Sequence, residues 1–175
     1  MAACVCAGVV RAAAQRTPGQ GWARLPMAAD EYKCAKVDGF APPVLTVTGT
    51  AAIRVDGKCG FAYPAIDLGL NRAIEMVEAA GAVAVAIGNS SHAGVLGHHV
   101  ERLADHGLAA MAFVNTPAAI SPWGGNRPLY GTDPIAFACP RPEAPPLVID
   151  LSMSKDARGK IKLAADRGEA IPDDW

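Results

Sequence analysis

The chain has almost no net charge: 16 lysines and arginines stand against 17 aspartates and glutamates, and no basic block stands out among its 175 residues. That balance supplies no field to draw in nucleic acid or an anionic membrane surface, so neither is expected as a partner. The five cysteines, at positions 4, 6, 34, 59 and 139, include no CxxC pair and no His/Cys cluster at zinc spacing. Their odd number argues against a closed disulfide framework, no metal site is expected, and a reducing cytoplasm fits best. The apolar stretch Met1 to Val10 lacks the basic flank of a secretory signal. It also falls far short of the roughly 20 residues that span a bilayer, so it reads as a buried helix. A glycine-rich phosphate loop is missing too: no GxGxxG follows a strand, and Gly124-Gly125-Asn126 has no helix behind it to offer free amides. Any nucleotide is held in another way.

With 51% hydrophobic residues the chain can bury a real core, and its length suits one domain or a domain with an incomplete neighbour. Small-molecule chemistry is the default expectation. Met1 to Gln15 and Met27 to Lys36 suit helices, separated by the breaker Thr17-Pro18-Gly19-Gln20-Gly21. Leu45 to Val47 and Ala51 to Val55 read as short strands, with Asp56-Gly57 as a tight turn. From Pro64 the apolar period lengthens to three and four residues, predicting a helix that ends at Gly81, and the continuous run Ala82 to Ile87 predicts a buried strand. The same unit recurs as a helix over Val95 to His106, a stop at Gly107 and a buried strand over Leu108 to Val114. Ile135 to Cys139 and Leu147 to Ile149 add two strands separated by Pro140 to Pro146, and Lys155 to Asp166 reads as a helix. The fold class is therefore mixed α/β without strict alternation, and the one internal boundary signalled lies near Pro42-Pro43. The start, with a helix already under way, and the closing Asp173-Asp174-Trp175 both read as truncations.

Polar residues beside apolar runs outline a ligand cleft. His92 follows a predicted strand in a Ser/Gly loop, where an imidazole can meet solvent and substrate, or can only cap the next helix. His98 and His99 lie on that helix and read as surface residues. Asp150 ends an otherwise apolar strand, where carboxylates in α/β folds meet ligands, or it caps the helix near Lys155; Ser154 fits that cap better and leaves Asp150 freer for function. Thr116 is placed similarly, although a threonine before Pro117 is also ordinary turn chemistry. Arg24 could clamp a carboxylate or be a solvated loop charge.

Four stretches carry a more specific signal: Asn89-Ser90-Ser91-His92-Ala93-Gly94, Ser121-Pro122-Trp123-Gly124-Gly125, Pro128 to Phe137 through Gly131-Thr132-Asp133-Pro134, and Asp150-Leu151-Ser152 through Ala157-Arg158-Gly159-Lys160. In this order they resemble the malate/L-lactate dehydrogenase family of NAD(P)-dependent oxidoreductases, over about Leu25 to Trp175. That family includes ureidoglycolate and sulfolactate dehydrogenases and reductases of cyclic 2-imino acids.

The resemblance implies a non-Rossmann NAD(P)-binding fold, here truncated. Residues 1–43 would be the helical part of a substrate and dimerisation domain, and 44–175 a cofactor-binding α/β domain. It implies NAD(P)H as cofactor, a small carboxylate-bearing substrate and a homodimer, for which the apolar first helix would suit the interface. His92 would handle the proton at the substrate oxygen or nitrogen, Arg24 would face the substrate carboxylate, and Thr116, Asp150, Leu151 and Ser152 would contact the cofactor. One position departs from the family: Gln20 stands where its members carry a histidine. Glutamine hydrogen-bonds but does not shuttle a proton, and such a loss typically costs on the order of 10²–10⁴-fold in rate. The activity implied is hydride transfer to or from a 2-keto/2-hydroxy acid or a cyclic 2-imino acid, with Δ1-piperideine- or Δ1-pyrroline-2-carboxylate reduction slightly favoured. A malate/lactate-type 2-hydroxy-acid dehydrogenase is the close alternative, and a catalytically dead fragment that retains only binding or dimerisation is the other.

Overall fold

The computed structural model describes residues 25–156 and 158–172. The helix expected over Met1 to Gln15 lies outside them, as do Gln20 and Arg24. The chain forms two compact units, Met1–Gly94 and Val95–Trp175.

In the first unit a short helix, α1 (Leu25–Lys33), precedes a three-stranded sheet of β1 (Val44–Gly49), β2 (Ala52–Gly60) and β3 (Ala84–Ser90), with α2 (Ala62–Ala80) between β2 and β3. Strand β2 is central, antiparallel to β1 and parallel to β3. A parallel pair needs a crossover, and the 3.6-period apolar stripe read from the sequence supplies it. Helix α2 starts after the extended Phe61 and accepts Pro64 in its first turn, where a missing amide costs no intrahelical bond. It ends as expected at Gly81, which takes φ 76° and donates its amide to Val77. Ile53, Val55, Ala65 and Ala73 form the core, flanked by Leu45, Met76, Val83, Val85 and Ile87. Helix and sheet approach closely at Gly69, where a Cβ would stand 2.9 Å from Val85 Cγ1 and 3.2 Å from Val55 Cγ2.

The second unit pairs β4 (Ala110–Phe113), β5 (Ile135–Arg141) and β6 (Ala144–Leu151) antiparallel in that order, with α3 (Leu96–Asp105) before them and α4 (Arg158–Arg167) after. The buried face of the sheet is built from alanines: Ala110, Ala136 and Ala138 pack with Leu96, Val100 and Ala104 of α3. Small residues let the helix approach closely. The opposite face is apolar and open. Met111, Phe113 and Leu151 are 62%, 67% and 62% exposed, and Ile135, Leu147 and Ile149 stand exposed beside them.

Several expectations are corrected. Asp56-Gly57 is no turn but lies inside β2; the hairpin turns at Thr50-Ala51, between the opposed Gly49 and Ala52. The strands expected to be buried over Ala82 to Ile87 and Leu108 to Val114 alternate instead, because in each unit a helix covers one face of the sheet, and a one-sided cover exposes every second residue. Pro140 to Pro146 does not separate two short strands: β5 runs through Pro140 and β6 through Pro145 and Pro146. Pro140 lies past the end of β4 and at a shift in register, and β6 is an edge strand, so these missing amides remove little of the ladder. His99 is buried rather than on the surface. Ser154 does not cap the last helix, which begins at Arg158; its hydroxyl donates to Asp156 O at 2.6 Å. No helix among the described residues is long and apolar enough to cross a membrane.

Candidate active site

Strand β3 delivers the chain into the His92 loop, and the loop is held from two sides. On one, Ser91 donates its amide to Gly60 O at 3.0 Å, tying the loop to the end of β2. On the other, the Gly94 amide donates to His92 Nδ1 at 2.8 Å. A ring nitrogen that accepts an amide proton is unprotonated, so the neutral imidazole carries its proton on Nε2. Gly94 adopts φ 77° and any side chain there would collide with the hydroxyl of Tyr63, from the first turn of α2. The His92 ring is exposed.

Two of the three other motifs meet within the second unit. Phe113, Ile135 and Leu151 lie opposite one another at one end of its sheet, so the loop after β4, the turn before β5 and the segment after β6 meet there. Thr116 ties the first two together. Its amide and its hydroxyl both donate to Asp133 Oδ1, at 2.8 and 3.1 Å, and the hydroxyl accepts the amides of Thr132 at 2.8 Å and Asp133 at 3.2 Å. One donor and two acceptor positions are thereby used, so the Thr116 hydroxyl is saturated within the protein. Gly131 makes this possible: a Cβ would collide with Asp133 Oδ1 and stand 2.5 Å from Thr116 O. Thr132 O accepts the Met153 amide at 2.8 Å and lies 3.2 Å from Ser152 Oγ. Ser152 Oγ is also 2.7 Å from Ser154 Oγ, and its single proton serves one of these two acceptors. Ser152 thus bonds the backbone of Thr132, whose own hydroxyl lies 3.3 Å from that of Thr116.

Asp150 has a defined partner. Its Oδ2 accepts the amide of Gly97 at 2.6 Å. Gly97 is the second residue of α3, whose preceding residue Val95 offers no side-chain cap. Asp150 is therefore the cap, acting from β6 on a helix 53 residues away, not on the helix near Lys155. Leu151 is exposed on the open sheet face.

Reading the sequence alone misses Thr132 and Asp133 as network members, Tyr63 beside the His92 loop, and Asp56, whose Oδ1 accepts the Lys58 amide at 2.9 Å and Asn89 Nδ2 at 3.2 Å. The first of these Asp56 bonds has a local signature, an aspartate bonding the amide two residues on; the second joins residues 33 apart and has none. Among the described residues, no group of three or more His, Cys, Asp or Glu is arranged to hold a metal ion.

The sequence and the fold match a known family. The model of the malate/L-lactate dehydrogenase family matches residues 1–175. The chain is 55% identical over 155 residues to a (2R)-3-sulfolactate dehydrogenase (NADP(+)) of Chromohalobacter salexigens, which covers 89% of this chain and 46% of that protein. It is 38% identical over 163 residues to a Delta(1)-pyrroline-2-carboxylate/Delta(1)-piperideine-2-carboxylate reductase of Pseudomonas syringae pv. tomato, covering 92% and 48%. The crystal structure of a delta1-piperideine-2-carboxylate reductase from Pseudomonas syringae pvar. tomato superposes with a TM-score of 0.85 at 36% identity, over 95% of this chain and 49% of that one. The chain thus spans about half the length of the relatives it matches. The mixed α/β fold and the match along the whole chain agree, and the chain belongs to the malate/L-lactate dehydrogenase family.

Proposed function

We propose that the protein is the part of an NAD(P)-dependent oxidoreductase that presents His92 and the cofactor-facing end of the second sheet, and that the reaction is hydride transfer at C2 of a small 2-hydroxy or 2-keto carboxylate. The observation that carries this reading is the junction at one end of the second sheet, where Thr116 binds Thr132 and Asp133 and the segment after β6 binds Thr132 O through Met153 and Ser152. The hydroxyl oxygens of Thr132 and Ser152 at this junction can accept from the carboxamide and ribose hydroxyls of NAD(P)H. Thr116 and Asp150 contribute by holding this end of the sheet and α3 in place, since the Thr116 hydroxyl and the bonded Asp150 oxygen are already engaged; Leu151 offers apolar surface. Residues 44–175 form the cofactor side, and residues 1–43, with Gln20 and Arg24, the substrate side, Arg24 pairing with the carboxylate.

In the oxidative direction the C2–H bond breaks with its electron pair, the hydroxyl proton passes to His92 and a C2=O bond forms. The bound nicotinamide supplies the hydride acceptor. The resting ring, with Nδ1 taking the Gly94 amide, presents Nε2–H; to accept the hydroxyl proton it gives up that amide bond, carries its own proton on Nδ1 and frees Nε2, and the imidazolium so formed returns the proton to the oxygen in the reductive direction. The 55% relative, a sulfolactate dehydrogenase, favours the hydroxy-acid substrate. The cyclic-imine reading is kept second because relatives at 35–39% identity bear that activity in their names.

The test is a fluorescence titration of the chain with NADH and NADPH, alongside Thr132→Val and Ser152→Ala. It is followed by assays of (2R)-3-sulfolactate, malate, lactate and Δ1-pyrroline-2-carboxylate with the longest chain the gene encodes. Saturable binding weakened in both variants is the expected result, with His92→Gln costing on the order of 10²–10⁴-fold in turnover. Binding unchanged by both substitutions would remove the second sheet from the site. No binding by a folded chain would favour a remnant without catalysis.

A further inference from the structure

Strand β2 does not end simply. After Asp56 its register against β3 shifts, and the chain passes through Gly57, Lys58 and Cys59 before Gly60 pairs with Ser90. Lys58 and Cys59 adopt φ 53° and 57°, and Asn89, across the ladder, adopts φ 50°. Three non-glycine residues in left-handed conformation within one patch persist only where the surroundings overdetermine them, and such patches concentrate at functional sites.

The determining group is one carboxylate. Asp56 Oδ1 takes the Lys58 amide and Asn89 Nδ2, at 2.9 and 3.2 Å, and Oδ2 lies 3.0 Å from Lys58 Nζ. The bulge presses directly on the strand that leads to His92: a Cβ on Gly57 would stand 2.8 Å from both Asn89 O and Ser90 Cβ. Gly60 O then takes the Ser91 amide. Every residue from Asn89 to Ser91 is thus gripped by the segment from Asp56 to Gly60.

We infer that Asp56 is the positioning residue of His92: through Asn89 and the left-handed bulge, its carboxylate fixes the loop from which the imidazole is presented. Asp56 touches neither substrate nor cofactor and works through the loop. The Lys58 ion pair alone would be a surface contact of little consequence; the bond across the ladder to Asn89 is what couples the carboxylate to the loop. The functional weight of the inference rests on reading His92 as the substrate-facing group, but its test does not.

The uniformly ¹⁵N-labelled 175-residue chain has four histidines, and His92→Gln identifies the His92 ring signals in long-range imidazole correlations. The wild-type ring is expected to show an accepting Nδ1 and a protonated Nε2 as distinct signals. Asp56→Ala should lose that separation at His92 through tautomer averaging, while His98, His99 and His106 keep their shifts. Asp56→Asn retains an acceptor oxygen and should restore it. Asn89→Gly tolerates φ 50° but lacks the tether, so it should reproduce the alanine effect even if Asp56→Ala does not fold. An unchanged His92 signature in folded Asp56→Ala, or in Asn89→Gly, overturns the inference. Turnover unaffected in His92→Gln would overturn the reading of His92 and leave the ring result standing.

Discussion

Asp150 Oδ2 and the Gly97 amide meet at 2.6 Å, so the carboxylate at the end of β6 caps the first turn of α3. It satisfies an amide that the helix cannot, and it places negative charge at the positive end of the helix dipole. Asp150→Ala should destabilise the protein by about 1 kcal/mol, with Asp150→Asn costing less, in thermal or urea unfolding. Gly97→Ala should not yield the usual gain of helix propensity, because its Cβ would lie 3.1 Å from both Asp150 Cβ and Asp150 Oδ2. Loss of cofactor binding in Asp150→Ala is accordingly no proof of direct contact unless stability is measured with it.

Thr116 holds a second junction. Thr116→Val removes the acceptor of the Thr132 and Asp133 amides while keeping the side chain's shape. Leaving these part-buried groups unpaired should cost about 1–3 kcal/mol in urea denaturation. Gly131→Ala should be at least as damaging, since the added carbon meets Asp133 and Thr116 together. Thr132→Val removes no amide acceptor, so it should leave stability nearly unchanged and act on cofactor binding.

The pH dependence of stability should carry the mark of Asp56. The Lys58 amide first, then the Lys58 side chain and Asn89, hold its carboxyl down from 3.8 to about 2. A depressed folded value means that the ionised group stabilises the fold above the unfolded value, and that this contribution disappears as pH falls from near 4 toward 2. Acid titrations followed by circular dichroism should show the wild type losing stability over that window and Asp56→Asn losing less. Equal slopes would mean that the Asp56 bonds do not survive in solution.

The open face of the second sheet should behave as exposed apolar surface. Phe113 and Leu151 stand opposite the two sides of Ile135, and contiguous patches of this kind bind hydrophobic dyes and promote association. Phe113→Lys and Leu151→Lys should lower dye fluorescence and self-association in light scattering without lowering the melting temperature. A fall in melting temperature would show that the face is packed.

Much of the secondary structure was legible because it follows from local periodicity. The α2 stripe from Ile66 to Val77, its stop at Gly81 and the stop of α3 before Gly107 each depend on residues within a turn or two of one another. The prolines of the β5–β6 hairpin misled for the same reason. A proline forbids an amide bond only where the ladder needs one, and whether it does is set by the register with a neighbouring strand. His99, on a helix with polar neighbours, gave no local sign that it is buried.

By itself, the sequence determined where most helices and strands lie, the family to which the chain belongs, and that His92, Thr116, Asp150 and Ser152 stand at the ends of apolar elements. Tertiary structure alone decided what those groups do there. It turned Asp150 toward α3, saturated the Thr116 hydroxyl with Thr132 and Asp133, and brought Asp56 to Asn89. The physical reason is range: periodicity and turn chemistry act over a few residues, whereas a hydrogen-bond partner 17, 33 or 53 residues away is chosen by the packing that brings two elements together.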